Sequence, residues 1–275
     1  MTSNRSDENR PEETSVKCLS SDYDGTISPL NASRLESRVP LETRVMLRQI
    51  GRSLPISIVT MKDLSFIMPR TPFAQAWSAI GGLEMRIGRR VVKRESLEHR
   101  LTKISRAIEY AKSQITSAGV EIEEKQDSEG HAVAFCVDWR QAEDSKSARE
   151  EVERFATYFK TLGLRLIRYE RQPFYDVYPV APDKGLALLE MLSELRVKSG
   201  VLYLGDSKMD NSAFRASSVS LGVVHDETPV QSLECDYFVK FECVPDFLNA
   251  LVRNDFQFSP SFPMIQVNPN HRRRH

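Results

Sequence analysis

The chain has 275 residues, with 38 basic and 38 acidic side chains in balance, 40% hydrophobic and 28% charged residues. That length holds one large domain or a core carrying a smaller one. The cancelled charge gives no reason to expect nucleic acid or an anionic membrane as the main partner. Residues 1–15 are polar and lack the apolar stretch of a secretory signal, and no run approaches the roughly 20 apolar residues that cross a bilayer. The four cysteines (Cys18, Cys136, Cys235, Cys243) are scattered, without the close pairing of a zinc or redox motif. Buried thiols in a reducing, cytoplasmic protein are the expectation.

After the polar leader, residues 16–21 form a short buried strand that ends in the loop Asp22-Tyr23-Asp24-Gly25. A helical segment covers 41–51, and a second apolar strand covers 55–59 with a polar loop at Thr60. Residues 78–93 look like a strand and a hairpin turning near Gly88. From 96 to 180 the rhythm changes. A helix carrying Leu101, Ile104, Ile108, Ala111 and Ile115 stops at Gly119, and strands at 120–125 and 132–140 follow. A second helix (Ala148, Val152, Phe155, Phe159, Leu162) stops at Gly163, before strands at 164–169 and 174–178.

Beyond this insert lie an amphipathic helix over 185–198, a strand over 201–204 and the loop Gly205-Asp206. Strands at 219–224 and 237–241 and a helix at 246–253 complete the pattern. Strands alternating with helices imply an α/β fold with a parallel sheet, whose ligands bind beyond the carboxyl ends of the strands. The expected division is a leader at 1–15, a core at 16–95 and 181–253, an inserted α+β unit at 96–180, and a flexible tail at 254–275. The tail holds Pro260, Pro263 and Pro269 and ends in a basic run.

Four polar clusters fall at strand or helix ends. Asp22 and Asp24, two apart in a tight turn, can reach one site, where their like charges call for a cation; magnesium suits such oxygen ligands. An ordinary Asp-Gly turn is the plainer alternative. Thr60 could donate to a phosphoryl oxygen, or cap the helix-like stretch from Lys62. Lys184 begins the leucine-rich helix and could counter a phosphate, or be a surface lysine. Asp206 and Asp210 bracket a strand-to-helix loop, which a capping aspartate alone would not explain.

Together, Asp-x-Asp-Gly-Thr at 22–26, Thr60, Lys184-Gly185 and Gly-Asp-x-x-x-Asp at 205–210 resemble the four signatures of the haloacid dehalogenase superfamily. The resemblance implies a Rossmann-like core with an inserted type IIB cap, and Mg2+-dependent phosphoryl transfer. It makes Asp22 the nucleophile and Asp24 the acid and base, with Thr60 and Lys184 on the phosphoryl oxygens. The metal would be held by Asp22, the carbonyl of Asp24 and Asp206, with Asp210 acting through water or by orienting Lys184.

Within the superfamily the sequence is most similar to trehalose-6-phosphate phosphatases, through 122–125, 137–140 and 175–179. That similarity makes Glu123, Lys125, Arg140 and Asp176 sugar-contacting candidates. Solvated charges on strand faces are the alternative. Departures are Thr60-Met61-Lys62 in place of Ser-Gly-Arg, Asn211 in place of an acid, and Asp138 in place of a cap histidine. Phosphatases of sucrose phosphate or of mannosyl- and glucosyl-phosphoglycerate share the pattern. A phosphomannomutase-like mutase and a non-catalytic binding module are further readings. The expected partner is a small phosphorylated sugar, bound by a monomer or small homo-oligomer.

Overall fold

The computed structural model describes residues 13–270, apart from 31, 33, 95, 96, 98, 99, 170, 171, 227 and 229. The first half of the core runs through β1 (Thr14–Ser15), β2 (Cys18–Ser21), α1 (Leu41–Ile50), β3 (Ile56–Val59), α2 (Leu64–Ile67), β4 (Ala76–Ala79), β5 (Glu84–Ile87) and β6 (Arg90–Lys93). The insert follows as α3 (Leu101–Gln114), β7 (Glu121–Gln126), β8 (Ala132–Asp138), α4 (Ser145–Thr161), β9 (Arg165–Arg168) and β10 (Phe174–Tyr178). The chain returns to the core with α5 (Lys184–Glu194), β11 (Val201–Gly205), α6 (Asn211–Ala216), β12 (Val219–Val224), β13 (Tyr237–Lys240) and α7 (Val244–Arg253). Two short strands, β14 (Gln257–Phe258) and β15 (Gln266–Val267), close it. The α/β class is borne out.

The core sheet has the order β15-β13-β12-β11-β2-β3-β4-β5-β6, parallel from β13 to β4 and antiparallel at both edges. The central strands are buried on both faces, as continuous apolar runs in a parallel sheet require. One face packs Leu19, Leu202 and Leu204 against Leu47, Ile50, Phe247 and Leu251 of α1 and α7. The other packs Cys18, Val201 and Tyr203 against Leu188 and Met191 of α5 and Phe214 of α6. From β2 the chain builds outward through β3 and β4. After the insert it resumes on the opposite side of β2, with β11. That reversal leaves a crevice at the carboxyl ends of β11, β2 and β3, the place where such sheets bind ligands.

The insert is a four-stranded antiparallel sheet, β7-β8-β10-β9, with α3 and α4 packed on one face around Phe135, Val137, Phe155, Phe159 and Tyr175. Its other face carries the register row Glu123–Cys136–Asp176–Ile167. Ile167 and Tyr178 on this face join the hydrophobic cluster of the core. The tip of the β7–β8 hairpin is fastened to the core sheet. Ser128 donates from its backbone N–H and its hydroxyl to the buried Glu84 carboxylate, and Lys93 pairs with Asp127 at 2.9 Å.

One alternative falls away and one expectation needs correction. The helix after β3 is capped by Asp63, whose carboxylate accepts from the Phe66 N–H, so Thr60 is no helix cap. The segment expected to be a flexible tail is folded through Asn270. β14 pairs with β1 and β15 with β13, and Phe258 packs on Tyr237, Phe247 and Phe262. Asn268 is buried as well, with its amide donating to the carbonyls of Leu233 and Cys235. Prolines in this stretch limit its strand lengths, but spaced aromatics give it a buried face. The basic run at 271–275 and the leader up to residue 12 lie outside the described residues. Among the described residues no helix is long and apolar enough to cross a membrane.

Phe258→Ala should cost about 3–5 kcal/mol, the usual price of deleting a buried aromatic ring, read as a lowered urea midpoint with the m-value unchanged. A change under about 1 kcal/mol would mean that the tail is not packed as described.

Candidate active site

Three neighbouring strand ends build the site. Asp22 follows β2, Thr60 follows β3, and Asp206 follows β11 on the opposite side of β2. Hydrogen bonds lock the loops to the strands: the Asp22 N–H donates to Leu204 O at 2.9 Å, and the Thr60 N–H donates to Ser78 O. Lys184 reaches in from the first turn of α5, whose N-terminus is capped by Asp183. The carboxylates of Asp22, Asp206 and Asp210 come together, with one oxygen from each within 4.8 Å of the others.

Lys184 ties the cluster together. Its Nζ lies 2.8 Å from Asp22 Oδ2 and 2.8 Å from Asp210 Oδ1. Burial alone would pull the ammonium pKa down, yet Asp210 and Asp22 hold it above the ordinary lysine range. Asp22 shows the opposite balance. Desolvation pushes its carboxyl up to about 7 against the pull of Lys184, and Asp210 adds to the rise. Asp206 is pushed well above the usual carboxylate range by burial and then by Asp22 and Asp210. Among the described residues its one side-chain donor is Thr26, at 3.3 Å. Three desolvated carboxylates beside a single ammonium leave negative charge uncompensated, and a divalent ion with oxygen ligands fits that deficit.

The aspartates differ in availability. Asp210 is fully buried and saturated: Oδ1 takes Lys184 and the Tyr203 hydroxyl, while Oδ2 takes the N–H groups of Asp206 and Ser207 and the Ser207 hydroxyl. With no lone pair direction left open, Asp210 suits the orienting role. Asp24 is half-buried, approached by the Ser37 hydroxyl at 3.3 Å and by Lys62 Nζ at 3.6 Å. Gly25 explains the Asp-Gly pair. Its φ is +75°, and a Cβ there would lie 2.2 Å from Asp206 Oδ2, so a side chain would close the cluster.

Thr60 is buried, its Oγ1 accepting from the Lys62 N–H at 3.2 Å. Asn211 braces a loop, donating to Ser232 O and accepting from the Glu234 N–H.

The cap candidates divide. Lys125 and Asp176 form a buried pair at 2.7 Å, and Asp176 also accepts from the hydroxyls of Tyr169 and Tyr178. Glu123 is partly exposed on the same face and pairs with Arg34 of the core. Arg140 does not join them: it lies beyond the end of β8, half exposed, with its guanidinium on Asp138 and over the Phe174 ring.

Sequence reasoning missed three residues. Arg34 pairs with both Asp63 and Glu123, linking core to cap. Lys62 faces Asp24. His225 sets a ring nitrogen 2.7 Å from the Gly25 carbonyl and stacks on Phe241. Lys62 was visible as the third residue of the strand-end loop. The other two carry no local signal, because their partners are distant in sequence.

No protein-family model and no curated protein sequence matches the chain. Solved structures do. A trehalose-6-phosphate phosphatase related protein superposes with a TM-score of 0.67 at 18% identity, covering 86% of this chain and 98% of its own. The C-terminal domain of trehalose-6-phosphate phosphatase from C. albicans gives 0.65 at 17% identity, over 87% and 93%. A HAD subclass IIB sugar phosphatase gives 0.59 at 15% identity, over 88% and 100%. This chain shares the fold of these phosphatases. The expected core with an inserted cap is therefore borne out as a fold, over nearly the whole length of these solved structures.

Stability should report the strain in the cluster. In chelator, the folded carboxyl of Asp22 titrates at about 7 and the unfolded one at about 3.9. Between those values the folded chain holds the extra proton, so stability is greatest at the acid end and is lost as pH rises towards 7. Asp22→Asn should flatten the fall in Tm measured between pH 5 and pH 8. An equal slope in both proteins would show that the Asp22 carboxyl is not desolvated as described.

Proposed function

We propose that the chain is a magnesium-dependent phosphatase of phosphorylated sugars, with Asp22 as nucleophile. The observation that carries this reading is the Asp22 carboxylate, held 2.8 Å from Lys184 within the Asp22–Asp206–Asp210 cluster at the mouth of the crevice. Asp22 and Asp206, with the Asp24 carbonyl, are the residues that would hold magnesium. The bound ion would supply positive charge to the phosphoryl oxygens.

Asp22 attacks phosphorus and the phosphorus–oxygen bond to the sugar breaks, leaving an aspartyl-phosphate. Asp24 gives its proton to the departing sugar oxygen. It then accepts one from the water that cleaves the acyl phosphate and returns Asp22. Lys184 and the Thr60 hydroxyl neutralise the equatorial oxygens, where charge gathers in phosphoryl transfer. Asp210 holds Lys184 at its post through a saturated set of hydrogen bonds.

Trehalose 6-phosphate is the substrate this reading favours, supported by the fold shared with trehalose-6-phosphate phosphatases. Of the cap candidates, Glu123 is the partly exposed one on the face turned to the core, so it would meet sugar hydroxyls directly. Lys125 and Asp176, buried and mutually paired, would shape that face from behind. Charged groups placed on hydroxyls discriminate among sugars in a way that an apolar wall cannot.

Asp22→Asn should abolish phosphate release from trehalose 6-phosphate with the circular dichroism spectrum unchanged; turnover near wild type would remove the nucleophile assignment. Chelating magnesium should stop release, and adding it back should restore it. Glu123→Ala should raise KM for trehalose 6-phosphate about tenfold while sparing p-nitrophenyl phosphate, the loss of roughly one charged hydrogen bond. Equal losses on both substrates would take Glu123 out of sugar recognition.

A further inference from the structure

Four arginines converge outside the carboxylate cluster. Arg38 from the loop before α1, Arg44 and Arg48 from α1 and Arg70 from the turn after α2 line a cavity of about 340 Å3, together with Pro69 and Pro72. Arg44 and Arg48 are four apart on one helix face, a like-charge spacing that destabilises a helix unless something answers it. In a chain with no net charge, four unanswered cations on one cavity are a concentration of charge with a cause to be found.

No carboxylate is paired with them among the described residues. None of the ion pairs among the described residues includes Arg38, Arg44, Arg48 or Arg70. The Arg44 Nε is buried and has no acceptor among the described residues. Arg70 is fixed by neutral partners. It donates to the carbonyls of Ser37, Phe66 and Arg34 at 3.0–3.3 Å and lies 3.9 Å from the Phe66 ring centre. Three of its five N–H groups are bonded to these neutral carbonyls, and no carboxylate is paired with it among the described residues.

We propose that this cavity is a second site, for a small phosphate-bearing anion, held by Arg44 and Arg48 on one wall and by Arg38 and Arg70 on the other. Guanidinium groups match phosphate oxygens in pairs, and several converging on one cavity give both charge and orientation. A volume of about 340 Å3 suits a small ligand. The site is separate from the one that takes a substrate's scissile phosphate, because neither Asp22 nor Lys184 lines it. Ser37 stands between the two. Its carbonyl accepts from Arg70 and from the Tyr23 hydroxyl, and its own hydroxyl donates to Asp24 Oδ1.

The test is calorimetric titration of the full chain with inorganic pyrophosphate in chelator, comparing wild type with Arg44→Gln/Arg48→Gln. The wild type should bind one equivalent more than the double variant, or bind it about tenfold more tightly or better. Arg44→Lys/Arg48→Lys should keep part of that binding, and turnover of p-nitrophenyl phosphate without pyrophosphate should be unchanged in both variants. Identical stoichiometry and affinity in wild type and Gln variant would overturn the proposal.

Should the Gln variant not fold, wild-type crystals soaked in tungstate decide: the anion on the four arginines supports the site, and its absence there overturns it. Cosedimentation with phosphatidylcholine vesicles, with and without phosphatidylserine, tells a lipid headgroup from a free ligand as the source of the phosphate. The titration, soaking and cosedimentation readouts involve no turnover, so they can fail while the phosphatase reading stands, or hold while it falls.

Discussion

The structure turns on a crowded charge: three carboxylates brought within reach of one another out of water, with a single lysine between two of them. Lys184 bridges Asp22 and Asp210 at 2.8 Å each, and no other ammonium or guanidinium is paired with the cluster among the described residues. Such an arrangement is costly in a bare protein, because desolvation and mutual repulsion both oppose ionisation. It becomes reasonable as a place where a cation and a phosphoryl group complete the balance. The elements around it resist relaxation. Asp210 is pinned by five donors, and Gly25 leaves no side chain to wedge the loops apart.

Sheet topology is what creates the crowding. Since β11, β2 and β3 are neighbours running in one direction, the loops after them emerge together, although residue 206 is far from residue 22 in sequence. The cap is then set over this mouth by contacts unrelated to chemistry. Glu84 receives Ser128, Lys93 meets Asp127, and Arg34 joins Asp63 to Glu123. These place the polar face of the cap sheet opposite the crevice, so that face and the carboxylate cluster lie in separate layers of the molecule.

Much of this was legible in the chain. The strand ends at 22, 60 and 206 were marked by apolar runs stopping at polar residues, and the two helix–strand–strand units of the cap by a change of period. Asp210 was legible as the second acid of the strand-to-helix loop, and in the structure both its oxygens are occupied. The folded segment from 256 to 270 was not legible. Its prolines and short apolar stretches resemble a linker, and only its edge pairings with β1 and β13 and the cluster at Phe258 make it part of the core. Likewise Arg140 and Lys125 look equivalent as charges on strands. One lies at an exposed end on Asp138, the other in a buried pair with Asp176.

By itself the sequence determined the order of the main elements up to residue 253, the α/β class and which residue types stand at the strand ends, since periodicity and turn chemistry are local and act along the chain. Only the tertiary structure decided which charges meet. Side-chain partnership depends on strand order and on cap placement, and these bring together residues that share no sequence neighbourhood. The pairing of Lys184 with Asp22 and the gathering of four arginines beside α1 are both of that kind.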